Sequence, residues 1–379
     1  MVGTVETKRR GITLLFGMFQ VVLGSTLPSG LYAIYERDWE LSRIQSTLVF
    51  ASYVAGVLCS LIFLGSLADR IGRKPAIVLS VALAALSSLT FLGATGLPLL
   101  VVARLLCGLS VGICTGAFTS ALIDNYGRRH GSALSAVVTS AALASGPLAS
   151  ALIAVGLPLP LRLPFIVHLM ILLVVLISCL RLPDNSARQE YVKAVPKDQE
   201  GTFPTRSALF VFVCCAFVIG WAYGANGMWQ SVVPLSMHVI HSQLQIACIT
   251  TLMLGASAIT QGLTLRQQPE KILPTGLLLL ALGFAITAYG ITTQQVWIVI
   301  GATILVGGQG MAFRSSLSLV AHSAPPHKQA TAISLYYIFG FLMTAALPLI
   351  TNVSGVVLVL YIMVIVTLAS LLTTRLITR

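Results

Sequence analysis

Long apolar stretches alternate with short polar ones along the whole chain of 379 residues. A membrane-spanning helix needs about 20 consecutive, mostly apolar residues. Twelve stretches meet that requirement, at residues 11–33, 46–66, 75–94, 97–121, 132–156, 163–182, 207–233, 244–263, 272–290, 294–320, 330–351 and 354–374. The pattern therefore predicts an all-α membrane protein with twelve transmembrane helices.

The composition strengthens this prediction and removes one competing class. Apolar residues make up 56% of the chain and charged residues only 9%, whereas soluble domains contain about 25% charged residues. The formal charge of +12 does not indicate nucleic-acid binding, because such proteins cluster their basic residues on one soluble face. Here the basic residues lie in short gaps between apolar stretches, so the expected partner is the lipid bilayer.

The distribution of Lys and Arg predicts the orientation. When both termini are assigned to the cytoplasm, 18 of the 23 basic residues lie on the cytoplasmic side. Arg37, Arg43 and Arg162 lie outside, and Arg104 and Arg314 lie within spans. This asymmetry follows the positive-inside rule and favours two cytoplasmic termini. The compact length favours the inner membrane of a bacterium.

One long polar interval divides the chain into similar halves. It runs "RLPDNSARQEYVKAVPKDQEGTFPTR" and is typical of a flexible, solvated linker. The predicted organisation is a bundle at 1–182, a linker at 183–206 and a bundle at 207–379. A shift of 200 residues places Gly108 over Gly308 and Arg128 over Lys328. Weak internal symmetry of this kind predicts two pseudo-symmetric six-helix bundles with a ligand site at the repeat interface.

Three motifs stand at defined places in this pattern. The turn between the second and third spans reads "GSLADRIGRK", in which glycines permit a tight turn. The fourth span contains "RLLCGLSVG", which puts Arg104, Gly108 and Gly112 on one helical face. The fifth span contains Gly146 and Pro147 within "ALASGPLASA".

These motifs and the twelve spans resemble the major facilitator superfamily across the whole chain. The turn is similar to the family's G-x-L-x-D-R-x-G-R-K pattern, and the fourth span to its R-x-x-x-G element. The fifth span is similar to the family's antiporter motif, with Ala142, Ser150 and Ala151 in place of its remaining glycines. The resemblance implies a monomer that exposes its site alternately to the two sides as its halves rock.

The resemblance also implies conformational roles for particular residues. Asp69 would help latch the halves in the outward-facing state, and Gly146 and Pro147 would govern packing and flexibility of the fifth span. The full set of predicted gating residues is Gly65, Asp69, Arg70, Gly72, Arg73, Arg128, Gly146 and Pro147.

Two arginines within spans bear on the substrate. A charge at the bilayer centre is costly and commonly marks a pathway, so Arg104 and Arg314 are candidate ligand contacts. None of the acidic residues lies at the centre of a span. A cavity that contains arginines and no carboxylates favours an anionic or zwitterionic metabolite, of the siderophore or organic-acid class. The alternatives are that Arg104 bonds helix-end carbonyls and that Arg314 extends to the membrane surface.

The remaining candidates are uncharged or titrate near neutrality. Amide and aromatic side chains in apolar helices either contact a ligand or bond neighbouring helices. The candidates for ligand contact are Gln20, Trp221, Tyr223, Asn226, Trp229, Gln230, Gln309, Tyr336 and Tyr337. His168 and His238 titrate in the range useful for proton coupling, although a lone histidine is more often a packed residue.

Other functional classes lack support in the sequence. Nucleophile, zinc-protease, nucleotide and dinucleotide motifs are missing, so no enzymatic activity, cofactor or metal is predicted. The predicted function is a secondary transporter that exports or exchanges a small molecule. A proton-coupled exporter of hydrophobic drugs is the alternative, and a receptor built on a transporter scaffold is the alternative from a different class.

Overall fold

The computed structural model describes residues 2–64, 67, 71–182, 206–237, 242–264, 266–323 and 329–377. Within these ranges the chain is helical and contains no strand. The α-helices are α1 Val2–Thr26, α2 Tyr32–Asp38, α3 Arg43–Phe63, α4 Arg73–Gly93, α5 Leu97–Tyr126, α6 Arg128–Gly156, α7 Leu163–Leu180, α8 Arg206–Ser231, α9 Gln243–Leu263, α10 Pro269–Thr292, α11 Val296–Val306, α12 Gln309–Ser323, α13 Gln329–Ser354 and α14 Val356–Ile377.

The described helices include twelve segments long and apolar enough to cross a membrane. Each overlaps one predicted span, so the prediction of twelve transmembrane helices is confirmed. The first segment is Lys8–Gly30, where α1 ends in a 3₁₀ turn at Leu27–Gly30. Pro28 in this turn lacks the backbone N–H that continuation of an α-helix requires. The short helix α2 follows and was not predicted.

The chain forms two compact units. Unit 1 comprises Met1–Pro28 and Ser52–Glu200, and unit 2 comprises Ser29–Ala51 and Gly201–Arg379. The division differs from the predicted one because Ser29–Ala51 groups with the second unit. Of the predicted linker at 183–206, only Arg206 is described, as the first residue of α8; residues 183–205 lie outside the described residues.

The two units repeat one helix-pairing pattern. In unit 1, α1 packs on α5 and α6, while α4 packs on α5 and α7. In unit 2, α8 packs on α12 and α13, while α10 packs on α12 and α14. These are corresponding helices under the 200-residue shift of the sequence, so the weak sequence repeat is matched by a repeat of packing.

A small residue brings two helices of unit 1 together at the R-x-x-x-G element. Gly108 of α5 lies against the backbone of α3 around Tyr53, Gly56 and Val57. A Cβ at position 108 would be 2.8 Å from the amide nitrogen of Val57. The glycine is therefore required by space, as is usual where transmembrane helices approach closely.

The tenth span is interrupted, although the sequence predicts one continuous helix. Its 28 residues are divided between α11 and α12 by Gly307 and Gly308. The amides of both glycines donate to carbonyls three residues earlier, at 3.1 and 2.9 Å, which is the tighter 3₁₀ pattern. The hydroxyl of Thr260 donates to the carbonyl of Gly307 at 2.7 Å. The break makes Gln309 the first residue of α12.

Candidate transport site

The loop between the second and third spans is described in part. Gly65, Asp69 and Arg70 lie outside the described residues. Gly72 has a φ of +96° and immediately precedes α4, a conformation that favours glycine. Arg73, the first residue of α4, forms an ion pair with Asp124 near the end of α5.

Asp124 is a partner that the sequence analysis did not single out. Its signal in the sequence is its place as the last carboxylate before the Arg128–Arg129 pair. Arg128 is the first residue of α6. The gating role of this region stays a prediction.

Gly146 lies where α6 meets α1. A Cβ at this position would overlap the side chain of Thr26 and lie 2.8 Å from the carbonyl oxygen of Leu23. Pro147 follows inside α6, and the hydroxyl of Ser150 donates to its carbonyl at 3.1 Å. The antiporter-like motif therefore forms a close helix contact next to a proline, where the regular hydrogen-bond ladder lacks one donor.

Arg104 is completely buried in unit 1. It has 0% exposure, and its Nη1 donates to the carbonyl oxygen of Ser25 at 2.5 Å. Its guanidinium lies 5.6 Å from the ring centre of Tyr53. Ser25 belongs to the last turn of α1, where carbonyls lack helical donors and the dipole attracts cations. This geometry favours the structural alternative for Arg104 over a ligand contact.

His168 is also enclosed in unit 1. Its ring nitrogens lie 2.9 Å from the hydroxyl of Ser88 and 2.9 Å from the carbonyl oxygen of Gln20. The exposure of its side chain is 4%. Both ring nitrogens have protein partners, which favours a packing role over proton coupling. His238 lies outside the described residues.

A pair of amides marks the most promising site, in unit 2. Nε2 of Gln309, at the start of α12, donates to Oδ1 of Asn226 on α8 at 2.7 Å. The same nitrogen lies 3.0 Å from the sulfur of Met253 on α9. Gln309 is 3% exposed, whereas Asn226 is half-buried. The pair fixes the start of α12 against α8 and leaves part of the Asn226 amide accessible.

Aromatic residues lie one helical turn from each member of this amide pair. Tyr223 lies three residues before Asn226 on α8, and its ring centre is 5.4 Å from Phe313 and 5.3 Å from Phe341. Tyr337 on α13 lies 6.3 Å from Tyr223 and 6.1 Å from Phe313. All four rings are half-buried. We call Tyr223, Asn226, Phe313, Tyr337 and Phe341 the aromatic–amide face.

Four other predicted contacts of unit 2 are buried or half-buried, and three of them, Tyr336, Trp229 and Gln230, have hydrogen-bonding partners. Tyr336 is fully buried, and its hydroxyl lies 2.7 Å from that of Ser316. Trp229 is fully buried and donates to Thr303 at 3.0 Å. Trp221 is buried, and half-buried Gln230 lies 3.5 Å from the hydroxyl of Ser29. The structure therefore brings together Tyr223, Asn226, Gln309 and Tyr337. Tyr336 adjoins this set, because its ring centre lies 5.7 Å from that of Tyr337.

Arg314 follows Phe313 on α12 and is half-buried. Its Nη1 donates to the carbonyl oxygen of Thr264, the residue that directly follows α9. This is the same kind of partner that Arg104 has, a helix-terminal carbonyl. The guanidinium is thus anchored within unit 2, and its remaining exposure leaves room for an anion to approach.

Two members of the aromatic–amide face, Phe313 and Phe341, were not predicted. Each lies four residues after a predicted contact, Phe313 after Gln309 and Phe341 after Tyr337. This spacing puts each pair on one helical face. Helical spacing from a polar residue was therefore the signal that could have found them.

The family follows from a comparison that spans most of the chain. The model of the Major Facilitator Superfamily matches residues 14–348. The chain belongs to this superfamily. The match extends into both units and covers every residue of the aromatic–amide face, and it confirms the resemblance drawn from the motifs.

Solved structures of superfamily transporters share the fold. A variant of the peptide transporter POT gives a TM-score of 0.77 at 16% identity, covering 97% of this chain and 95% of its own. The xylose transporter XylE from E. coli gives 0.73 at 13%, covering 97% and 98%. A variant of the nucleoside transporter NupG gives 0.69 at 11%, covering 98% and 100%. At these identities the likeness establishes the fold alone.

A curated relative matches over a short segment. The multidrug resistance protein MdtL of Shewanella oneidensis is 40% identical over 73 residues, which is 19% of this chain and 18% of that protein. The chain is thus a multi-pass membrane protein of the superfamily, and its substrate does not follow from these comparisons.

Proposed function

We propose that this superfamily transporter exports small, uncharged aromatic or hydrophobic molecules by alternating access. The observation that carries the proposal is the aromatic–amide face of unit 2. Four half-buried rings from α8, α12 and α13 meet at Tyr223, one helical turn from the half-buried amide of Asn226. Together they supply a large apolar surface with one hydrogen-bonding group. Ligand sites are commonly built in this way.

The hydrogen bonds of Arg104 and Arg314 also support an uncharged substrate. The sequence-based prediction of an anionic substrate depends on free positive charge at Arg104 and Arg314. Both guanidiniums donate to carbonyls at helix ends, so part of their charge is balanced within the protein. The multidrug resistance relative and the Gly146–Pro147 motif favour export.

The proposal predicts that transport depends on the rings. Tyr337→Ala is expected to reduce transport of an uncharged aromatic dye, N-phenylnaphthylamine, by about tenfold, because aromatic side chains dominate apolar binding surfaces. Asn226→Leu is expected to reduce it by a smaller factor, since it removes one hydrogen-bonding group and leaves the donor of Gln309 without its partner. The measurement is the initial rate of transport in proteoliposomes of matched protein content.

Tyr289→Ala is the matched control, because Tyr289 is 55% exposed on α10 and does not belong to the aromatic–amide face. Its transport rate is expected to equal that of the wild type. Equal rates for Tyr337→Ala and the control would contradict the proposal.

An anionic or zwitterionic metabolite is the second candidate, and Arg314 favours it. The side chain is half-buried next to Phe313, so a carboxylate reaching the face would meet a guanidinium that fits it geometrically. Under this alternative, Arg314→Gln weakens transport of an organic anion and leaves the aromatic dye unaffected.

A further inference from the structure

Unit 2 contains a cavity formed by residues outside the aromatic–amide face. Its volume is about 170 Å³, roughly ten times the ~15 Å³ that a single water requires. It lies where α8 and α13 end and α3 begins. Its polar lining consists of Arg43, Thr47, Ser231, Ser236, Thr351 and Asn352.

The uncharged polar side chains of this lining already donate hydrogen bonds to backbone carbonyls. The hydroxyls of Thr47, Ser231, Ser236 and Thr351 donate to backbone carbonyls of their own helical turns, at 2.8, 2.8, 2.9 and 2.6 Å. The amide nitrogen of Asn352 donates to the carbonyl of Pro348 at 3.2 Å. A hydroxyl that donates in this way still has lone pairs that accept. The lining therefore offers oxygen acceptors to a ligand.

These acceptors are held in place by burial. The four hydroxyl residues are between 3% and 8% exposed, and each hydroxyl is fixed by its backbone bond. A ligand that supplies N–H or O–H donors would satisfy several acceptors at once. An ammonium group, with three donors, suits this part of the cavity.

Arg43 supplies the positive charge in the lining of this cavity. Its guanidinium is accessible and carries the positive charge of the lining, where a carboxylate or phosphate can bind in two-pronged fashion. Glu36 lies nearby. Burial raises the pKa of the Glu36 carboxyl above its usual value, and the Ser46 hydroxyl and the Arg43 charge lower it only in part. Glu36 thus competes with a ligand anion for Arg43.

We propose that this cavity binds a small zwitterion, with the anionic group on Arg43 and an N–H-bearing ammonium group among the hydroxyl oxygens. A free amino acid and the headgroup of phosphatidylethanolamine share this chemistry. The proposal does not depend on the substrate of the aromatic–amide face, because the two sites share no residue.

The test measures how tightly the protein binds a free amino acid and how tightly it binds a phosphatidylethanolamine headgroup. Glycine is titrated calorimetrically into protein in maltoside detergent, and lipid binding is measured in nanodiscs containing phosphatidylethanolamine. The matched probes are glycine betaine and phosphatidylcholine, whose trimethylated nitrogens keep the charge and lack N–H donors. One primary-ammonium probe is expected to bind at least about tenfold more tightly than its trimethylated counterpart. The probe that binds identifies the source.

Variants connect the binding to the cavity. Arg43→Gln is expected to weaken binding about tenfold and Thr351→Val a few fold, since each removes one polar partner. Glu36→Gln is expected to strengthen binding, because it removes the competing carboxylate. Arg37→Gln is the control, as Arg37 is exposed and paired with Asp38. The melting temperature of each variant verifies its folding.

Three outcomes would overturn the proposal. These are no binding from either source, equal binding of the trimethylated probes, and binding that neither Arg43→Gln nor Thr351→Val weakens. Because transport of the aromatic dye is measured separately, failure of this proposal is distinguishable from failure of the transport proposal.

Discussion

Replacing Arg104 by glutamine is expected to destabilise the protein strongly. The substitution removes the donor to the Ser25 carbonyl and the cation beside the Tyr53 ring, and it leaves a cavity where a fully buried side chain was. An unsatisfied buried carbonyl together with lost packing costs about 2–4 kcal/mol. The measurement is the free energy of unfolding in detergent micelles, followed by tryptophan fluorescence.

Arg162→Gln is the control for this prediction. Arg162 is exposed, and substitutions at exposed positions commonly change stability by less than about 0.5 kcal/mol. A variant Arg104→Gln with wild-type stability and a lost response to substrate would reverse the interpretation. It would support Arg104 as a ligand contact, which is one of the two alternatives that the sequence leaves open.

Replacing Gly146 by alanine is expected to reduce transport about tenfold or more. A Cβ at this position overlaps Thr26 and approaches the Leu23 carbonyl to 2.8 Å, a distance that forces α6 away from α1. Since packed helices respond to such overlap by shifting or straining, the contact that the antiporter-like motif forms is lost. The measurement is the transport rate in proteoliposomes.

Gly156→Ala is the matched control for Gly146→Ala. Both glycines lie in α6, and a Cβ at Gly156, the last residue of this helix, meets nothing within 4 Å. Adding Thr26→Ala to Gly146→Ala should restore transport in part, because the side-chain overlap is relieved and the Leu23 backbone contact remains. Wild-type transport by Gly146→Ala alone would contradict the role of this contact.

The transmembrane helices were predictable because each is a local feature of the sequence. About 20 apolar residues in a row are sufficient to cross the bilayer, and no distant contact is needed to recognise them. The break at Gly307–Gly308 was not predicted. It depends on Thr260 and other residues of neighbouring helices, which the apolar pattern of the span does not reveal.

The amide residues of the site were predictable from the sequence, whereas two of its aromatic residues and the partners of the arginines were not. Asn226 and Gln309 stand out in the sequence as amides within apolar helices. Phe313 and Phe341 do not, because a ring that faces a ligand and one that faces lipid look alike in sequence. The carbonyls that bind Arg104 and Arg314 lie 79 and 50 residues away along the chain, so their pairing follows only from the folded structure.

Binding of ligands sorted by charge tests the central claim most directly. A ligand at 100 times its dissociation constant stabilises a protein by about 2.7 kcal/mol, so the melting temperature of the purified protein reports binding. We expect uncharged aromatic compounds to raise it in the wild type and to lose this effect in Tyr223→Ala. If organic anions alone raise the melting temperature, and Arg314→Gln abolishes their effect, the claim that the aromatic–amide face binds uncharged aromatic molecules is wrong.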